Sequence, residues 1–394
     1  MNLTLRATSD QPRRGQPASD PAIAPPVFIH SSWRTASTWL WQKLRQAPTT
    51  IAYCEIFHER LSACTIPDLR ANDFAKWDSK HPAGAPYFLE YASLIGADGR
   101  VRGYEPRMAL QAFLPEGGVR GALSPSERAY VEGLIASARD RHRVPVLTDT
   151  RTLGRFSALA RAFPGRHVLL VRNLFHQWAS YTEQWADGNP YFLDMLFATV
   201  RASLADPFVK LVADWFDDGD RSPENPAVFQ LFLLFHLYLY AHAHDDADLV
   251  VDVNAIAADP DHRLAVERTL GDCVGAPVDL SDIRVAFGLS LFSVASPAAF
   301  VDAIDQFVKQ MIDGAVSSEA AAFVARAKDE ALAEWERCEF YGGTARAVLR
   351  RRLSLAAPPE TLPLIAPAGA EPKPDGAKPT SGKRKGKRRG KKRR

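Results

Sequence analysis

The stretch VFIHSSWRTASTWLWQKL, residues 27–44, decides the fold. It begins with a short apolar run, turns polar through Ser31, Ser32, Arg34 and Thr35, and then spaces Trp39, Leu40 and Leu44 as a helix does. A strand that runs through a tight turn into a helix gathers several groups at one point. Free backbone N–H groups, the positive end of the helix dipole and the Ser37 and Thr38 hydroxyls converge there, and Arg34 adds a full charge. That geometry holds an anion. A kinase or GTPase turn needs GxxxxGK[ST], with lysine on the phosphates and a hydroxyl on magnesium, and this turn has Arg34 and Ala36 and no glycine. An ordinary nucleotide triphosphatase is therefore not expected.

Outward from this segment, short apolar runs alternate with longer helical ones. Strands are expected at 27–30, 51–54, 145–148, 167–171 and 249–253, each short and apolar as strands covered on both faces must be. Helices are expected at 36–45, 124–141, 153–162, 174–185 and 226–243, followed by an amphipathic pair at 297–314 and 317–338. The pattern predicts an α/β fold with a central parallel sheet flanked by helices. The domain is placed at residues 26–356, between a disordered segment at 1–25 and a disordered Pro-rich linker and tail at 357–394.

Composition bounds the function. The chain has 394 residues, 46% hydrophobic and 24% charged, which excludes fibrous and fully disordered classes. Its net charge of +3 conceals a basic end, since residues 371–394 carry twelve Lys or Arg against two acids and the rest is net acidic. Such an arm binds polyanions or anionic surfaces without sequence preference, or simply keeps the chain soluble. The apolar run 226–243 is broken by Gln230, His236 and His242, so no membrane span is expected. The start lacks the apolar core of a secretory signal, so a cytoplasmic protein is expected. Cys54, Cys64, Cys273 and Cys338 form no CxxC pair, and the spacing of His236, His242 and His244 does not put three ligands on one helix face. No metal site is expected.

A second stretch, FPGRHVLLVRNLFHQWASY at 163–181, carries a strand that ends in Arg172 and a helix that contains Ser180, eight residues on. Arg172 leaves the C-terminal edge of its strand, where ligands bind in parallel sheets. Together the two stretches resemble the cofactor motifs of PAPS-dependent sulfotransferases of the bacterial or carbohydrate type, which have a P-loop NTPase-like fold. The family's 5'-phosphosulfate motif, PRSGTTWL or QRTGSTAL, stands here as WRTASTWL at 33–40, and its 3'-phosphate motif, Arg followed by Ser, stands as Arg172 and Ser180. Trp33 replaces proline, Ala36 replaces glycine and Leu174 replaces proline. A late segment, 249–271, keeps the family's frame of strand, turn, Asp-Pro and helix, with Val253-Asn254-Ala255-Ile256 where YEDL is usual. The resemblance covers about residues 25–282, and the RKGxxGxW segment of the aryl and steroid enzymes is absent.

The resemblance implies PAPS as donor and PAP as product, with no metal required. It assigns Arg34, Thr35, Ala36, Ser37, Thr38, Trp39, Arg172 and Ser180 to the cofactor, and places Arg151 and Arg155 near the cofactor edge. Sulfuryl transfer to a hydroxyl or amine needs a base on the far side of the cofactor. Glu55, in the segment YCEIFHE after the second strand, is the first choice, His58 the second and Glu59 the third; Arg34 acts on the leaving phosphate. A small molecule or carbohydrate is the expected acceptor, and the oligomeric state is left open. A non-catalytic nucleotide- or polyanion-binding protein on the same fold is the alternative, and a P-loop kinase a weaker third.

Overall fold

The computed structural model describes residues 24–70, 86–216, 219–285, 288, 290–313 and 316–341. The domain boundary at 356, the basic tail and most of the N-terminal segment lie outside them. Five strands form one sheet: β1 (Val27–His30), β2 (Thr50–Cys54), β3 (Val144–Asp149), β4 (Arg166–Val171) and β5 (Leu249–Asp252). Their order is β2-β3-β1-β4-β5, and every pairing is parallel. All five strands match the expected runs within one residue. The α/β class with a central parallel sheet is thereby established.

Among the described residues the helices are α1 (Ser37–Arg45), α2 (Ile66–Arg70), α3 (Pro125–Arg139), α4 (Phe156–Ala162), α5 (Leu174–Ala186), α6 (Tyr191–Ala202), α7 (Pro207–Trp215), α8 (Pro226–Asp246), α9 (Val253–Ala258), α10 (Pro260–Val274), α11 (Pro297–Ile312) and α12 (Ser318–Tyr341). Local chemistry sets several starts. Ser124 and Glu127 close a reciprocal capping box on α3, with Pro125 in the first turn. Asp206, Asn225 and Asp259 each accept backbone N–H groups before Pro207, Pro226 and Pro260.

Helices cover both faces of the sheet, and the strands alternate between two cores. Val168 and Leu170 pack into the core that holds Trp41, Tyr53 and Tyr130; Leu169 and Val171 face the one built around Trp178, Phe229 and Phe232. Helix α8 runs through the second core. It is apolar on all sides, and although its length and composition would allow it to cross a bilayer, 89% of its most apolar window is buried inside the protein.

Two expectations are corrected. The VNAI segment is not a turn but the short helix α9, because Asp252 accepts the N–H groups of Asn254 and Ala255 and starts a helix at once. Helix α10 does not stop at Leu270-Gly271 but continues to Val274, where Gly275 at φ 68° supplies the left-handed cap. Helices α6 and α7 have no counterpart among the helices expected from the sequence.

Candidate functional site

The chain leaves β1 at the C-terminal edge of the sheet, between β3 and β4, where the topology changes direction. The turn that follows is fastened from below. Ser31 donates through its N–H and hydroxyl to the Asp149 carbonyl, both at 3.2 Å. His236, on α8, gives its Nδ1 proton to the Phe232 carbonyl at 2.7 Å, so Nε2 accepts from the Ser32 hydroxyl at 2.7 Å. Gln177 Nε2 donates to the Trp33 carbonyl at 2.7 Å, and the Thr35 hydroxyl closes on the Ser32 carbonyl at 2.7 Å.

With its underside tied, the turn adopts a conformation that L-residues resist. Arg34 and Ala36 have φ of 66° and 67°. Four described non-glycine residues have positive φ, and three of them, Arg34, Ala36 and Glu55, sit in the turns that follow β1 and β2. Strain of this kind costs about 1–3 kcal/mol per residue and collects where function requires it. Ala36 thus keeps the backbone shape that glycine would take, so the extra methyl does not reshape the turn. It caps α1 and makes no side-chain cap hydrogen bond to that helix end. The Ser37 and Thr35 side chains are buried beneath, while Ala36, Thr38 and Trp39 are partly open. The Trp39 indole donates to Asp282 at 3.0 Å.

The second stretch meets the first here. Arg34 Nε donates to Ser180 Oγ at 2.8 Å, and Arg172 Nη1 donates to the Arg34 carbonyl at 3.0 Å. Burial, followed by the nearby Arg34 charge, holds the Arg172 guanidinium down at about 10. Burial lowers Arg34 as well. Two half-buried cations side by side repel, and an anion between them relieves that repulsion. The Asn173 side chain accepts the Phe175 and His176 N–H groups and starts α5, while its own N–H donates to Asn254 Oδ1 at 2.9 Å.

At the same C-terminal edge of the sheet lies the segment after β2. Glu55 has φ 51°, and its Oε2 accepts from Thr150 Oγ1 at 2.8 Å and Arg151 Nη1 at 2.7 Å. Arg151, with a side chain 1% exposed, also gives Nη2 to Glu59 at 2.7 Å and stacks over the Trp33 ring at 5.6 Å. Trp33 therefore links the turn after β1 to the guanidinium that holds Glu55. Burial and the Asp149 charge push the Glu55 carboxyl up to about 7, against the pull of Arg151. Glu59 goes the other way: burial opposes its ionisation, but Arg151 and His58 outweigh it and hold the carboxyl at about 2. His58 Nδ1 accepts from the Arg60 N–H at 3.2 Å, and its ring meets Phe88 edge-on. Tyr87, buried nearby, has Arg34 and Glu55 in electrostatic range, and burial pushes its phenol well up.

The structure thus brings the residues expected to hold the cofactor or act as base to one edge of the sheet, in two groups: Arg34 to Trp39 with Arg172 and Ser180, and Glu55 with His58 and Glu59. Sequence reasoning missed Asp149, Thr150 and Tyr191; their only signal was a polar pair ending the third strand and an aromatic after Asn189-Pro190. Arg155 is corrected. It is fully buried, and its guanidinium is spent on Glu127 and the Met108 and Ala109 carbonyls, each at 2.9 Å, so it braces the fold. Among the described residues no group of three or more His, Cys, Asp or Glu is placed to hold a metal ion. A cavity of about 390 Å3 opens beside Arg172 and Asn173 and runs between β5 and α12.

No protein-family model and no curated protein sequence matches the chain. Among solved structures it is similar to the sulfotransferase STF9 from Mycobacterium avium, at 13% identity and a TM-score of 0.37, over 76% of this chain and 78% of that one. It is also similar to the sulfotransferase domain of the Synechococcus PCC 7002 olefin synthase, at 15% identity and a TM-score of 0.30, over 80% of this chain and 98% of that one.

Proposed function

We propose that this chain is a sulfotransferase that moves a sulfuryl group from PAPS to a hydroxyl or amine acceptor. The observation that carries the reading is the convergence of Arg34, Ser180 and Arg172, because two motifs far apart in sequence meet at one anion-holding edge. The residues fit the donor's chemistry. An uncapped helix start with Thr38 and Arg34 suits a 5'-phosphosulfate, and Arg172 with Ser180 suits a 3'-phosphate.

In the reaction the bond from sulfur to the 5'-phosphate oxygen breaks while a bond from sulfur to the acceptor oxygen or nitrogen forms in line. Arg34 and the N–H groups of α1 neutralise the charge that grows on the leaving phosphate. Glu55 takes the acceptor proton. A carboxyl held near 7 is matched to that task, whereas Glu59, ionised down to about 2, is too weak a base and His58 Nδ1 is already engaged. The acceptor is a small molecule or a carbohydrate, and the basic tail favours polyanionic ones.

Thermal-shift titration with PAP, ATP and GTP, followed by transfer from radiolabelled PAPS to a phenol, a monosaccharide, an alkylamine and a sulfated polysaccharide, tests this. Stabilisation by PAP and label transfer to one acceptor are expected. A response to ATP with magnesium and none to PAP overturns the reading, and PAP binding without transfer to any acceptor leaves a binding protein instead.

A further inference from the structure

Asp149 ends β3 with its side chain fully buried, opposite His30 in the sheet register. A carboxylate there is costly unless its oxygens are taken up, and here both are. Oδ2 accepts the Phe57 N–H at 2.5 Å, and Oδ1 accepts the Arg151 N–H. The Phe57 bond pins the turn in which Glu55 holds its left-handed conformation. The Arg151 bond orients the residue whose guanidinium, with the neighbouring Thr150 hydroxyl, grips Glu55 Oε2. The Asp149 carbonyl meanwhile accepts from Ser31, at the root of the turn after β1. One residue therefore joins three segments: the phosphate turn, the base turn and the arginine between them.

We propose that Asp149 is a positioning residue for sulfuryl transfer: its buried carboxylate, by holding the Phe57 and Arg151 N–H groups, sets where the Glu55 carboxylate points. The inference rests on the sulfotransferase reading above. Asp149 touches neither donor nor acceptor and acts through Glu55. Displacement of a reacting group by about 1 Å costs up to about 100-fold in rate, which gives the scale of the effect.

The test is Asp149→Asn in the full chain, using the acceptor selected by the transfer screen. Asn keeps the volume but loses the charge and places an NH2 against one of the two N–H groups. Turnover is expected to fall roughly 10- to 100-fold with PAP affinity and the KM for PAPS unchanged. In a Glu55→Gln background the same substitution is expected to cost nothing further, because the residue works through a group already disabled. Wild-type turnover in D149N, a parallel loss of PAP affinity, or losses that multiply in the double variant overturn the proposal. Asp149→Ser, small enough to admit a water, is the second variant should Asn fail to fold. If neither variant folds, Asp149 belongs to the framework and the proposal fails. A wild-type chain that binds PAP but transfers to no acceptor sinks the sulfotransferase reading itself, whereas an active wild type whose turnover D149N leaves unchanged sinks this inference alone.

Discussion

The Arg34 guanidinium donates to the Ser180 hydroxyl at 2.8 Å, across 146 residues of sequence. Arg172, at the base of the helix that carries Ser180, returns the link by donating to the Arg34 carbonyl at 3.0 Å. Each segment thus orients the other. A turn that would be a plain helix cap becomes half of a two-cation cradle.

Arg34→Ala is expected to lower turnover roughly 100-fold or more while weakening PAP binding far less. Its charge matters most as the 5'-phosphate leaves, when interactions special to the transition state count. Steady-state rates beside calorimetric PAP titration check this, and near wild-type turnover would place Arg34 outside the site.

Arg172→Ala is expected to weaken PAP and PAPS by roughly 10- to 100-fold, the scale of one charged hydrogen bond to a phosphate. Adenosine 5'-phosphosulfate, which lacks the 3'-phosphate, should lose little. Competition assays with both nucleotides decide it; equal losses contradict the assignment.

The pH dependence follows from Glu55. A base works only when ionised, and burial with the Asp149 charge raises this carboxyl to about 7, so turnover should climb with pH through an acidic limb centred near 7. An unperturbed glutamate would place that limb near its ordinary 4.5. Glu55→Gln should cost roughly 100-fold or more and erase the limb, with PAP affinity preserved. An active E55Q beside an inactive His58→Asn would move the role to His58.

Ala36→Gly should stabilise the protein by about 1 kcal/mol, because φ 67° and ψ 23° suit glycine and strain alanine. Differential scanning fluorimetry should register a rise of about 2 °C with PAP binding retained. A fall in melting temperature would mean that the alanine methyl contributes packing worth more than the strain.

Removal of residues 373–394 should leave folding and transfer to a small neutral acceptor unchanged, since a Gly/Lys/Arg arm adds little to a core. On an anionic polymer the full chain should be faster at low salt, and the advantage should fade as screening shortens to about 10 Å at 0.1 M. Equal loss on both acceptors at every salt concentration would make the tail part of the folded domain.

Much of this protein is written in local pattern. The five strands fall within a residue of their apolar runs because a strand buried on both faces must be continuously apolar, and the proline-led helices announce their own starts. Arg34, Ser37, Thr38, Arg172 and Ser180 could be singled out from the sequence because the motifs they share with sulfotransferases are short and each follows a strand end directly. Arg155 looked like Arg151 in the sequence, two arginines after one strand, and only packing separated them. Arg155 turns inward to Glu127, and Arg151 turns to Glu55. The raised carboxyl of Glu55, the left-handed backbone at Ala36 and the role inferred for Asp149 likewise come from the tertiary structure. They depend on β2 and β1 lying on either side of β3, and pairing between strands so far apart in the chain leaves no periodicity to read.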